Sequence, residues 1–317
     1  MAGKETRSLE EMLVYKKDKK TKIATITFNR PEMLNAPTVA MRNRYSELLW
    51  QANVDNDVKV VIIRGAGDNF GSGVDLPEHF ENWAADPLGE HQLEKGADVT
   101  PPPKNTFRAG YNHGMLYSSV RGGCRNLQEF KKISIVEAKG YVYGWHFYQA
   151  GDADFVIASD DALFGHAAFR YAGWGPRLWT WIETMGLRKF QEMMFTGRPF
   201  TAAEMNQCNF VNSVVPREKL EDEVQKYALA CAGNAPTDRI VIQKAFLETY
   251  KQYRGEYFGS ILTSLIESMG SRVVAEGDEF VLNDEVLAEG LANKVREAEM
   301  RFPPEWRMSK SGRKKKE

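Results

Sequence analysis

Short, nearly continuous apolar runs punctuate the first two thirds of the chain, separated by glycine-rich turns and by segments with helical spacing. Val58-Lys-Val-Val-Ile-Ile63 and Ile133-Ser-Ile-Val-Glu-Ala138 are apolar at almost every position. Runs of that length and β-branched content predict strands buried on both faces. Leu13-Val-Tyr15 and Ile23-Ala-Thr-Ile-Thr-Phe28 predict two earlier strands, joined by the charged run Lys16-Lys-Asp-Lys-Lys20 as a solvated hairpin turn. A phosphate contact is the rival use of that run. Pro31 ends the second strand, because proline donates nothing to a ladder. From Thr38 to Val54, Val39, Met41, Tyr45, Leu48, Leu49 and Ala52 recur at helical spacing, with Thr38 as N-cap. Later segments predict strands at 154–158, 162–164 and 210–215 and a helix over 178–195. A short helix at 201–208 carries the capping-box pair Thr201 and Glu204. Beyond Pro216 the pattern is mostly helical: 220–233, 237–254, 258–274 and 284–301.

Two glycine-rich turns follow the two most apolar strands. Gly140-Tyr-Val-Tyr-Gly-Trp-His146 reads as a tight turn that opens a helix. Glycine lets a backbone turn sharply and approach a ligand. A helix start offers unpaired N–H groups and partial positive charge, which suits a developing oxyanion. An ordinary strand-to-helix turn is the plain alternative. Asn69-Phe-Gly-Ser-Gly-Val-Asp-Leu76 is the second such turn.

With the block Asn29-Arg-Pro-Glu-Met-Leu-Asn-Ala36, these turns resemble the crotonase, or enoyl-CoA hydratase/isomerase, superfamily. The resemblance covers residues 12–215 well and the C-terminal third loosely. It implies an α/β fold: a crotonase-like spiral of stacked ββα units with a C-terminal helical region. The implied division is a polar segment (1–11), the spiral core (12–215), a helical oligomerisation region (216–308) and a basic tail (309–317), expected to be loose. It also implies a homotrimer or dimer of trimers, and coenzyme A as the acyl thioester substrate without metal or redox cofactor. Residues 77–131 exceed the usual family interval, so an insertion is expected there, of the kind that forms lids or interfaces.

By the same resemblance, coenzyme A lies along Met33, Leu34 and Ala36, then Gly71, Ser72, Val74, Asp75, Leu76 and Gly144. Asp75 also reads as a helix N-cap. The backbone oxyanion donors fall at Ser72 and Trp145. The chain departs from the family where Gly144-Trp145-His146 replaces three glycines, so the Trp145 side chain must fill the acyl pocket or shift the loop. The two hydratase glutamates fall at Tyr148 and Ala168, and neither is a carboxylate. Standard two-glutamate hydration is therefore not expected. His146, Tyr148 and His166 are the replacement acid/base candidates, with Tyr143, His79, Glu78 and His113 behind them. A structural histidine or a satisfied buried tyrosine is the plain reading of each. Arg170 and Arg177 would meet an acidic substrate group or pair at the surface.

Aromatic residues crowd positions 141–181, and a subset would line a pocket for a bulky or cyclic acyl group. The function expected is enoyl-CoA hydratase/isomerase-like chemistry, a lyase or isomerase, through an enolate or oxyanion. One alternative is β-diketone C–C hydrolysis with a histidine base. Another is a non-catalytic oligomeric homologue binding acyl-CoA or RNA.

Composition narrows this little. Apolar content of 43%, charged content of 27% and a net charge of −1 favour neither nucleic acid nor a membrane surface. The basic run near Lys310 reads as a solvated tail, with nucleic-acid contact as its rival use, since so few basic residues make a small electrostatic footprint. Cys124, Cys208 and Cys231 lack metal-like spacing and suit reduced thiols. With no secretory leader and no span-length apolar stretch, a cytoplasmic location is expected.

Overall fold

A computed structural model describes residues 7–78, 98–103, 106–121, 123–171, 175, 177–267, 276–277, 279 and 295–313. In chain order its strands are β1 (Leu13–Asp18), β2 (Ile23–Phe28), β3 (Val60–Gly65), β4 (Ile133–Ala138), β5 (Tyr141–Tyr143), β6 (Phe155–Ser159), β7 (Leu163–Gly165), β8 (Phe200–Thr201) and β9 (Ser213–Val215). The helices are α1 (Leu9–Met12), α2 (Val39–Val54), α3 (Phe107–Tyr117), α4 (Trp145–Asp152), α5 (Ala168–Tyr171), α6 (Leu178–Met185), α7 (Leu187–Thr196), α8 (Ala202–Gln207), α9 (Leu220–Asn234), α10 (Thr237–Tyr253), α11 (Glu256–Glu267) and α12 (Lys310–Arg313).

Six strands form one sheet in the order β1-β2-β3-β4-β6-β9, and a second sheet runs β5-β7-β8. Only β1 pairs antiparallel in the large sheet. Alternation along the central strands explains their apolar runs. Val61 and Ile63 enter the main core, whereas Val60 and Ile62 pack on the opposite face with Leu220, Val224 and Ala228 of α9. The bridge between Gly71 and Val142 joins the turn after β3 to the small sheet. The parallel sheet, second small sheet and flanking helices match the α/β class expected.

Local signals behave as their chemistry dictates. Thr38 Oγ1 accepts the Met41 N–H at 3.2 Å, and the Thr201–Glu204 capping box is complete. The charged run belongs largely to β1 itself, an edge strand whose lysines discourage further pairing. The helix expected over 178–195 is two helices, because Gly186 at φ +77° leaves helical geometry between α6 and α7. The turn expected at 140–146 contains strand β5, flanked by glycines at positive φ: Gly140 before it and Gly144 between it and α4.

Within the expected insertion, α3 packs on α11: Ser264 Oγ donates to Gly114 O at 2.9 Å and Ser118 Oγ to Ser260 O at 3.0 Å. Residues 79–97 of that interval lie outside the described residues. The basic tail is partly folded down, since Lys310 N donates to Tyr141 Oη at 2.7 Å and its Nζ meets Asp161 at 2.7 Å. No helix among the described residues is long and apolar enough to cross a membrane.

Candidate functional site

The first turn is held from beneath by the Asn29–Ala36 block. Asn35 sits at φ +57°, and its Nδ2 donates to Ala66 O and Asn69 O at 2.8 Å each. Arg30 Nη1 donates to Ala36 O at 2.7 Å and to Asp75 Oδ2 at 2.8 Å. Asp75 Oδ1 also accepts the Glu78 N–H at 3.2 Å, the N-cap role expected of it. Its carboxylate is buried and faces the protein. Among the expected coenzyme A positions, Leu34 and Leu76 are exposed, and Met33, Ser72, Val74 and Gly144 are partly so. Ala36, Gly71 and Asp75 are buried.

The second turn meets the first through glycines. Gly144, at φ +54°, reverses the chain into α4, and its N–H donates to Gly165 O at 3.1 Å. A Cβ on Gly144 would stand 3.1 Å from Gly73 Cα, and one on Gly73 would stand 3.8 Å from Trp145 N. The first distance is tight and the second ordinary contact, and both positions favour glycine through their positive φ.

The free amides differ from those expected. Ser72 N donates to Leu34 O and Asp75 N to Pro37 O, both at 3.1 Å. Gly73 N donates to His146 Nδ1 at 3.4 Å. Val74 N–H is left with no acceptor among the described residues, as is Trp145 N–H at the start of α4. The amide expected as donor at Ser72 is thus spent internally, and the unbonded amide of this turn is that of Val74. The sequence motif located the turn but could not tell which amide its neighbours consume.

The Trp145 indole packs into the main core. It is buried between Phe28 and Tyr45, at ring-centroid distances of 5.4 and 5.3 Å, and its Nε1 donates to Gly123 O at 3.2 Å. The bulk that replaces a glycine therefore goes into the core, and the backbone N–H stays at the turn.

His146 is completely buried, with Phe70 at 4.8 Å and Phe28 at 5.2 Å edge-on to its ring. Desolvation lowers its pKa from 6.5 to about 3. The imidazole is neutral at physiological pH, and its Nε2 has no hydrogen-bond partner. This placement does not serve a general base, contrary to the expectation that His146 is an acid/base group.

Tyr148 and His166 are brought together. Tyr148 projects from the next turn of α4 after Trp145, and His166 follows directly after β7, whose last residue anchors Gly144. The Tyr148 hydroxyl lies 3.3 Å from His166 Nε2. Tyr148 stacks on Trp181 at 5.1 Å, and Phe169 stands edge-on to His166 at 4.9 Å. Gly175 is the one described residue of 172–176, and a Cβ there would stand 2.5 Å from Tyr148 Oη and 2.9 Å from His166 Nε2. Ala168 begins α5 beside this pair.

The remaining candidates do other work. Arg177 is buried in an ion network, bonded to Asp152 and Glu256 at 2.5 Å each, with Arg125 holding Glu256 at 2.7 Å. Burial alone would raise the Glu256 pKa, but the two guanidiniums hold it at about 2. Arg170 bonds Glu299 and lies 3.5 Å over the Phe302 ring, so neither arginine is free for an acidic substrate. Tyr143 Oη donates to Met308 O at 2.8 Å, a C-terminal clamp beside the second turn that no motif announces. Glu78 caps α2 by accepting Val39 N–H at 2.8 Å. His79 and the His113 side chain lie outside the described residues.

The sequence and fold have counterparts among known proteins. A sequence model of the enoyl-CoA hydratase/isomerase family matches residues 18–99 and 104–268. A probable mitochondrial enoyl-CoA hydratase of Dictyostelium discoideum is 27% identical over 74% of this chain and 75% of its own length. A mevalonyl-coenzyme A hydratase of Aspergillus fumigatus is 25% identical over 91% of this chain and 92% of its own. The crystal structure of a probable enoyl-CoA hydratase from Mycobacterium thermoresistibile superposes with a TM-score of 0.67 at 26% identity, covering 82% of this chain and 97% of that one. The chain belongs to the enoyl-CoA hydratase/isomerase family, which acts on coenzyme A thioesters.

Proposed function

We propose that this protein hydrates or isomerises an α,β-unsaturated acyl-CoA with a bulky or cyclic acyl group, using Tyr148 and His166 where relatives use two glutamates. The observation that carries the reading is the 3.3 Å contact between Tyr148 Oη and His166 Nε2. In hydration, water adds its oxygen to Cβ while its proton passes to Tyr148 Oη and the tyrosine proton passes to His166 Nε2. The thioester oxygen gains charge as the enolate forms, and the Val74 and Trp145 N–H groups receive it. Returning the proton to Cα restores both side chains. The aromatic wall of Trp181, Tyr148 and Phe169 favours a bulky acyl group, as does the similarity to a mevalonyl-coenzyme A hydratase.

Coenzyme A binding at Met33, Leu34, Ser72, Val74 and Leu76 belongs to the same proposal. So does assembly as a homotrimer or dimer of trimers. Support for assembly comes from the exposed Ile242, Phe246, Tyr250 and Tyr253 of α10 and Phe258 of α11. A monomer in sedimentation would remove that part.

The test is calorimetric titration with coenzyme A and with straight-chain, aromatic and alicyclic enoyl-CoAs, followed by product analysis. Tighter binding of a cyclic enoyl-CoA and a product heavier by one water support the reading. Absence of binding to every thioester overturns it, and turnover of a free cyclic diketone would then indicate C–C hydrolysis.

A further inference from the structure

We infer that His146 is a positioning residue: its ring locks the two donor turns in register through the hydrogen bond from Gly73 N–H to Nδ1. The inference rests on reading those turns as an oxyanion hole. Gly73, at φ +109°, immediately precedes the Val74 donor. The ring that grips it belongs to α4, one residue after the Trp145 donor. One side chain therefore spans both halves of the hole at 3.4 Å.

The ring is itself immobilised. Phe28, Phe70 and Trp145 stand edge-on to it at 5.2, 4.8 and 5.4 Å. Gly71 closes the remaining side, where a Cβ would lie 2.1 Å from His146 Cε1. The His146 ring in this position thus requires glycine at 71. With Nδ1 accepting, the neutral ring carries its proton on Nε2.

Asparagine carries Oδ1 on the same Cγ that bears Nδ1 in histidine, so His146→Asn preserves the acceptor. His146→Leu fills the space and removes it. On a turned-over enoyl-CoA, His146→Leu is expected to lower kcat about 100-fold, the scale of a lost oxyanion donor, with KM changed less than about threefold. His146→Asn should recover about tenfold of that loss or more. Gly71→Ala should lower kcat alone, and combining it with His146→Gly should relieve the clash, a coupling read from a double-mutant cycle. A wild-type kcat in His146→Leu overturns the inference, as does an equal loss in His146→Asn. Should the leucine variant fail to fold, nitrogen NMR of histidine-labelled wild-type protein decides. An unprotonated Nδ1 coupled to the Gly73 amide is expected, and a protonated Nδ1 overturns it. If the wild type turns over no enoyl-CoA, the proposed function falls, while the NMR result still judges the lock.

Discussion

His146 and His166 are both buried, at 0% and 7% exposure, yet their neighbourhoods differ in kind. His146 sits among Phe28, Phe70 and Trp145, with a backbone N–H as its hydrogen-bond donor and a pKa near 3. His166 faces a tyrosine hydroxyl at the end of β7, beside Gly175. On the proposed reading His166, not the histidine beside the glycine turn, does the chemistry. The difference lies in what each ring nitrogen meets: a backbone N–H at His146 and a tyrosine hydroxyl at His166.

The largest effect is expected at Tyr148. Tyr148→Phe removes the hydroxyl but keeps the stack on Trp181, and should lower kcat by about 10²–10⁴-fold while leaving coenzyme A affinity nearly unchanged. Steady-state kinetics beside calorimetry separates the two effects.

The next effect is in stability. The native state holds His146 near pKa 3, whereas the unfolded chain protonates it near 6.5. Between those values the unfolded state binds more protons, so stability falls as pH drops and levels off above pH 7. At pH 5 the His146 share of that loss is about 2 kcal/mol. Urea midpoints at pH 7 and pH 5 should therefore differ more for wild type than for His146→Leu. Asp161 and Glu256, each with a pKa of about 2, titrate below this window.

The smallest effect sharpens the shell around His146. Trp145→Phe deletes the Nε1 hydrogen bond to Gly123 O and should cost about 1 kcal/mol in a denaturation midpoint, with kcat little changed. A large loss of kcat instead would mean that the indole, not His146, sets the turn.

Much of the frame was legible in the sequence. The apolar runs at 58–63 and 133–138 became β3 and β4, and Thr38 and Thr201 cap where their spacing predicts. The three motif blocks identified the family and the two turns. What escaped reading depends on partners distant in sequence. Ser72 N–H is consumed by Leu34, and Arg177 disappears into an ion network with Asp152 and Glu256. No local pattern encodes such pairings. The departure at Gly144-Trp145-His146 was visible, but its meaning required the core: both large side chains pack inward, His146 into the space left by Gly71.

The most direct test sets the two histidines side by side: kcat for hydration of one cyclic enoyl-CoA by His166→Ala and by His146→Asn. The account predicts a deep loss in His166→Ala, about 100-fold or more, and a much smaller one in His146→Asn. The reverse order, with His146→Asn inactive and His166→Ala near wild type, would contradict it.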